Sequence, residues 1–482
     1  MKLRVGIVGG GILGLTLAYR LARLGHRVEL FEASSELGGL AGWQDYGPFT
    51  WDRFYHCILP QDVHLLELLE DLGLGSELAW RQTATGYYAR GRCFSMSTTV
   101  DYIKFPLLSW ADKARVGATV LYATLAADPM KLYSITAQDW LTRWCGRRGY
   151  EVFWRPLLKA KFGPFYNQVA AVFIWATLTR LFGARSGAAS KEQLGYVRGG
   201  YRKILSRFET KLSEAGAVIH KGARVTAIRE TKTPDARRGC DLVHESAGES
   251  RKTTFDQVFF TGPTRLARSV VGSSLLATVE RVEREHPASA VYLGVACLVM
   301  AMKRPLTPFY VLNVGDENVE LTGVIEMTNL VDRHAETAGL SLVYVPKYMD
   351  SDDPRLGAED EEIRRSLMDR GLLRIFPDLP RDEIAYCRIH RTKFVQPLPL
   401  VRHHAPMLGT TIGLTRPFQV LNTSMLTCAT LNNDEVVAFV DNFVKSNSGL
   451  GLRPMVSDPH ASLDGAPRQP PTRDRQSGVE VR

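Results

Sequence analysis

The sequence predicts an α/β chain, α+β overall, on three observations. Residues 3–32 run strand, glycine-rich turn, helix and strand in that order. Further apolar runs, such as Phe255–Phe260 and Val291–Met302, alternate with segments of helical periodicity. At 482 residues, 45% hydrophobic and 23% charged, the chain has the composition of an ordinary globular protein and is too long for one small core, so two packed domains are expected.

Val5 to Val8 reads as a buried strand. Gly9-x-Gly11-x-x-Gly14 follows, and Leu13, Leu17, Leu21 and Leu24 then recur at helical spacing. Arg27 to Phe31 reads as a second strand and stops at Glu32, 18 residues past Gly14. In that context the glycines form a dinucleotide-binding fingerprint on a Rossmann-type unit. Gly9 allows the tight turn, Gly11 lets backbone approach a pyrophosphate, and Gly14 lets the helix sit close on the sheet. The helix start at Ile12 and Leu13 offers free N–H groups and a partial positive charge to phosphates. Glu32 can accept both hydroxyls of a ribose, and its charge disfavours the 2′-phosphate of NADP.

A second glycine cluster, Gly38-Gly39-Leu40-Ala41-Gly42, follows Glu32 and Ala33. A cofactor running on past its pyrophosphate needs close backbone approach at such a second place, which points to a flavin dinucleotide rather than NAD. The next stretch, Tyr46 to Cys57, is dense in groups able to face a flavin ring. Asp52 and His56 are four apart, and His56 is a candidate site residue beside its commoner role as a structural histidine. Val63 to Leu74 is an amphipathic helix with a glycine cap.

Residues 87–190 read as an inserted, mostly helical region rich in large aromatics. From Arg143 to Arg207 there are 13 Lys and Arg against two acids, a surplus of 11; the whole chain carries +9, so the remainder sums to −2. Aromatic and basic residues interleave here, which suits nucleic acid, a membrane surface, an apolar anionic ligand, or simply a solvated basic face. Gly199-Gly200-Tyr201 opens a helix to Leu212, and Ala217–His220, Arg224–Ile228 and Phe255–Phe260 are strands returning to the nucleotide sheet. Val291–Met302, Leu321–Met327 and Leu342–Tyr344 build a second, mixed sheet. Gly409–Asn422 and Leu431–Val444 read as a last strand and helix.

Seven scattered cysteines, with no CxxC and no metal-ligand spacing, argue against a disulfide framework and structural zinc and favour a reducing cytoplasm. Met1 to Arg4 leads straight into the nucleotide unit, so no signal peptide is expected. The longest apolar candidate, Val116 to Ala127, falls short of the roughly 20 residues of a membrane span.

With these residues in place the chain resembles the FAD-dependent amine oxidase superfamily, in its protoporphyrinogen oxidase and phytoene desaturase branch; UDP-galactopyranose mutase is a more distant likeness. Gly9, Gly11, Gly14, Glu32 and Gly38-Gly39 match the family's FAD motif, and Arg224-Val225-Thr226 resembles the segment whose valine touches the adenine. The resemblance implies FAD held by Gly9, Gly11, Ile12, Leu13, Gly14, Glu32, Ala33, Gly38, Gly39, Leu40, Ala41, Val225 and Asn422. It implies an FAD-binding domain of residues 1–86, 191–275 and 395–445, a substrate domain of 87–190 and 276–394, and a disordered tail from 446. Two positions depart from the family. Asn422 stands where an acid usually meets the cofactor, and Cys297 stands where amine oxidases carry a lysine near the flavin.

The function expected is an FAD-dependent oxidoreductase that removes hydride from a C–H or C–N bond of an apolar, anionic small molecule. His56 or Tyr348 would be the base, and the last helix's N-terminus near Leu431–Asn433 would meet the reduced flavin's charge. The alternatives are a flavin-dependent mutase acting on a nucleotide sugar and a degenerate scaffold. Nucleic-acid binding ranks last. The setting expected is cytoplasmic, with peripheral membrane contact through residues 143–207 as one outcome.

Overall fold

β1 (Arg4–Val8) is central to a five-stranded parallel sheet because its side chains are apolar on both faces, with Val5 and Ile7 wholly buried. This computed structural model describes residues 2–183, 192–235, 237–401, 417–426, 430 and 432–447. The sheet runs in the order Phe418–Val420, Gln257–Phe260, β1, β2 (Arg27–Phe31), Val218–His220. Residues from the two ends and the middle of the chain therefore share one sheet. α1 (Ile12–Arg23) connects β1 to β2, burying Leu13, Leu17 and Leu21. Its Arg20 joins Asp71 (2.5 Å) and Asp441 (2.7 Å) of the last helix, Asn433–Ser446. A separate antiparallel sheet, Arg224–Lys232, Arg238–Ser246 and Glu249–Phe255, flanks this core.

The second large sheet has seven strands: Ile384–Pro397, Tyr292–Met302, Ser341–Asp350, Gly323–Glu326, Val311–Val314, Thr85–Ala89 and Arg92–Ser95. All 11 residues of Tyr292–Met302 are buried, as an apolar strand flanked by partners on both edges requires. The sheet is mixed, since Thr85–Ala89 runs parallel to Val311–Val314. Residues 85–95 are thus sheet, not the start of the helical insertion.

The helices of the insertion begin at Thr99. Thr99–Lys104, Trp110–Leu125, Pro129–Leu132, Ala137–Gly149, Arg155–Phe162 and Ala171–Gly183 form a layer with its own core of Leu141, Cys145, Leu158, Phe162 and Phe173. Thr98 and Ser109 start two of them with reciprocal capping boxes to Asp101 and Asp112. Gly409 to Arg416 of the expected last strand, Leu431 and the tail from 448 lie outside the described residues.

Candidate active site

The start of α1 is left open. Thr98, Ser109 and Thr136 cap their helices with side-chain oxygens, whereas Gly11 at the head of α1 makes no such bond and the first turn holds no acid. An uncapped helix start is an anion site. Gly9 takes φ +113°, and a Cβ on Gly14 would lie 1.9 Å from the Gly9 carbonyl oxygen. A Cβ on Gly11 would meet nothing nearer than the Gly38 carbonyl at 3.9 Å. Gly14 therefore serves packing, while the space over Gly11 is open to a ligand and Ile12 and Leu13 turn their side chains into the core.

Glu32 faces the same turn. Its Oε2 accepts the Gly10 N–H at 2.7 Å and its Oε1 the Ser34 N–H at 2.8 Å, leaving further lone pairs for ribose hydroxyls beside exposed Ala33. The Ala223 N–H donates to the Glu32 carbonyl at 2.8 Å, which brings Val225 to this strand end. The second glycine cluster is tied to the first: Gly38 N–H donates to the Gly10 carbonyl at 2.8 Å, and Gly39–Ala41 forms one tight turn. A Cβ on Gly39 would meet the Gly11 Cα at 3.5 Å. Gly11, Gly38, Gly39, Leu40 and Ala41 thus line one continuous strip of backbone, which fits a dinucleotide that extends past its pyrophosphate.

Two expected contacts differ. Asn422 is 1% exposed; its Nδ2 donates to the Gly262 carbonyl (3.0 Å) and Thr264 Oγ1 (2.9 Å), while its Oδ1 accepts from the Ser424 N–H (3.0 Å) and hydroxyl (2.6 Å). The side chain pins two strand ends together and has no polar atom left for a cofactor. The last helix starts at Asn433 with Asp434 and Glu435 in its first turn, and the Asn432 side chain accepts the Glu435 N–H at 2.8 Å. Burial pushes both carboxyls above their usual range. That end is capped and acidic, a poorer partner for a reduced flavin's charge than an open helix start.

From this strip the chain runs into Asp52–Cys57, packed against the seven-stranded sheet. The Asp52 carbonyl accepts hydroxyls from Tyr344 (2.6 Å) and Tyr46 (3.2 Å), and its Oδ1 accepts the Tyr201 N–H at 2.8 Å. The His56 ring lies 4.6 Å from that of Tyr201, with Nδ1 3.7 Å from Asp52 Oδ2, and it lines a small cavity with Trp51, Gly200 and Met327. The Tyr55 and Tyr348 hydroxyls meet at 3.1 Å. Cys297 sits mid-strand, opposite Pro346 and His390, wholly buried. Burial pushes the Cys297 thiol and the phenols of Tyr55, Tyr344 and Tyr348 up, so this wall carries neutral, protonated groups. A protonated Tyr348 is a poor match for the base expected of it. The wall itself was missed; its signal was the same-face spacing of Tyr344, Pro346 and Tyr348 on a strand longer than Leu342–Tyr344.

Five of the 13 bases of 143–207 are met by acids from elsewhere. Arg155 and Lys159 share Glu317 (3.3 and 2.8 Å), Arg180 forks onto Asp62 (2.9 Å), Arg148 faces Asp112 (3.4 Å) and Lys203 meets Glu77 (2.8 Å). Among the described residues six cysteines are free, no group of acids, histidines or cysteines could hold a metal, and no helix is long and apolar enough to cross a membrane.

Residues 14–417 match the profile of the flavin containing amine oxidoreductases. Over 167 residues the chain is 27% identical to a 15-cis-phytoene desaturase of an Oncidium hybrid cultivar, a stretch covering 31% of this chain and 28% of that protein. The chain thus aligns with less than a third of that curated relative's length. The fold resembles cyclohexylamine oxidase from Brevibacterium oxydans IH-35A (TM-score 0.62, 14% identity, 94% of this chain and 100% of the other). It also resembles reduced UDP-galactopyranose mutase (TM-score 0.66, 16% identity, 93% and 96%). At such identities the likeness is one of fold. With the profile matched over most of its length and an open glycine strip that fits FAD, the chain belongs to the flavin containing amine oxidoreductase family.

Proposed function

We propose that the protein is an FAD-dependent oxidoreductase that takes hydride from a C–H or C–N bond of an apolar small molecule. The observation that carries this reading is the neutral wall. Tyr55, Tyr344, Tyr348 and Cys297 are all kept protonated by burial, so this wall can back a substrate and exclude water but supplies no charged nucleophile. FAD supplies the hydride acceptor when bound. Glu32 and the open start of α1 hold its ribose and phosphates, and the Tyr55–Tyr348 pair orients the substrate. His56, beside Asp52, is the group placed to accept a proton from a departing O–H or N–H.

A nucleotide-sugar mutase would need several cations for a diphosphate, and Arg155, Lys159 and Arg180 are committed to Glu317 and Asp62, which leaves Lys161 as the one base of the helix Arg155–Phe162 uncommitted among the described residues. That favours the oxidoreductase. The visible spectrum of the purified protein, before and after anaerobic addition of apolar amines, porphyrinogens and polyenes, tests the reading. Bleaching of a flavin band supports it. A flavin that none of them reduces, yet that must be reduced for turnover without net oxidation, would establish the mutase.

An apolar substrate goes with a surface that this reading assigns to lipid. Trp110, Ala114, Ala118, Leu121 and Leu125 recur on one exposed face of Trp110–Leu125, with Trp110 72% and Leu125 80% exposed, beside exposed Val100 and Ile103. Lys113 lies over the Trp110 ring at 4.9 Å, and Asp101 and Asp112 are turned inward as caps, so the rim is basic. No large apolar side chain exposed among the described residues falls in 143–207, so the contact proposed here lies upstream of that stretch.

A further inference from the structure

Lys161 differs from the other two bases of its helix. On the helix Arg155–Phe162, Arg155 and Lys159 turn toward Glu317, but Lys161, on the opposite side, has no carboxylate within ion-pair distance among the described residues. Its ammonium lies instead 4.6 Å over the Tyr348 ring and 5.9 Å from the centre of the Phe173 ring. Ring faces attract a cation but replace only part of its lost hydration. Burial accordingly lowers the Lys161 ammonium to about 8.

The placement is fixed by the fold. Thr322 donates its hydroxyl to the Ala160 carbonyl at 2.8 Å and accepts the Tyr348 N–H at 3.1 Å, so one side chain holds the lysine's helix turn against the lysine's aromatic partner. Tyr348 packs on both the helical-layer core and the core beneath Asp52–Cys57, so Lys161 stands at the seam between them. From there the Tyr348 hydroxyl leads to Tyr55, next to His56.

We propose that Lys161 is the anchor for a carboxylate on the apolar substrate, binding the acid head at the seam while the apolar body runs along the tyrosine wall. An anion is the component this site lacks: it would restore the charge balance that Glu317 gives the two neighbouring bases, and the Tyr348 and Phe173 rings cover part of the ammonium's solvent side. The anchor rests on the substrate reading above and adds to it the substrate's charge and the residue that selects it.

The test uses decanoate and decanol as probes, titrated calorimetrically into wild-type, Lys161→Gln and Lys161→Arg proteins, with flavin content measured on each sample. The expected result is decanoate binding by wild type, weakened at least about tenfold in Lys161→Gln and within about threefold of wild type in Lys161→Arg, with decanol unaffected by either change. No decanoate binding by wild type, an unchanged affinity in Lys161→Gln, or an equal loss for decanol would overturn the anchor. A sample that holds no flavin yet shows the expected pattern would refute the oxidoreductase reading and leave the anchor standing.

Discussion

Glu32 accepts the amide of Gly10 at 2.7 Å, so the carboxylate that ends β2 also props open the turn that ends β1. One residue thereby shapes the glycine turn and, in the proposed site, would face the ribose. Glu32→Ala is expected to weaken FAD retention by tenfold to a hundredfold, the range for losing hydrogen bonds to a charged group. Flavin absorbance after dialysis reads this directly; retention equal to wild type would remove Glu32 from the site.

Gly11 and Gly14 separate cofactor from packing. Gly14→Ala drives a methyl to 1.9 Å from the Gly9 carbonyl, and overpacking of that kind costs about 1–3 kcal/mol. Gly11→Ala meets only open space, so its thermal midpoint without cofactor should match wild type while its FAD affinity falls. Melting both variants with and without FAD distinguishes the two effects. Equal apo midpoints for all three proteins would contradict the assignment.

Asn422→Asp restores the acid typical of the family, and it should be harmful here. A carboxylate oxygen would replace the Nδ2 donor against the Gly262 carbonyl and the Thr264 hydroxyl. The loss is expected to be about 1–3 kcal/mol, seen as a lowered urea midpoint. A stabilised variant would show that the strand-end tie is not what this asparagine does.

His390 makes the fold acid-sensitive. Burial, reinforced by Arg388 and Arg53, lowers its imidazole to about 4 from an ordinary 6.5. The folded chain keeps it neutral while the unfolded chain protonates below about 6.5, so its contribution is intact above that pH and is lost as pH falls toward 4. By pH 5 the loss is on the order of 2 kcal/mol. Urea unfolding at pH 7.5 and 5 should show a smaller drop for His390→Leu than for wild type; equal drops would place the sensitivity elsewhere.

The exposed face of Trp110–Leu125 predicts co-sedimentation with vesicles containing anionic lipid, reduced severalfold in the double change Trp110→Glu and Leu125→Glu. Binding that survives those charges, or a wild type that forms dimers and ignores vesicles, would reassign the surface.

The nucleotide half was legible because each of its residues does local work. The glycines, the apolar strand and Glu32 lie within 32 positions, and β2 forms at Arg27–Phe31 as the pattern predicts. The polar strands Arg238–Ser246 and Glu249–Phe255 were not legible, since one face is solvated and their pairing, not their composition, makes them strands. The substrate side was hidden for another reason. Tyr55 and Tyr348 meet across 293 positions, and Lys159 and Lys161 are identical in sequence, so only the fold separates the paired base from the lone one. Asn422 was misread because its partners, Gly262 and Thr264, come from a distant strand end.

The bond from Arg20 to Asp441 spans 421 positions, and the edge strand Phe418–Val420 closes the same sheet. During synthesis, then, α1 leaves the ribosome 421 positions ahead of the residue that Arg20 binds. α1 and its glycine turn must wait, with part of their packing unmade, for the segment up to Asp441 to emerge. The nascent chain would therefore need chaperone shelter over that interval, and cofactor capture would follow it rather than accompany elongation.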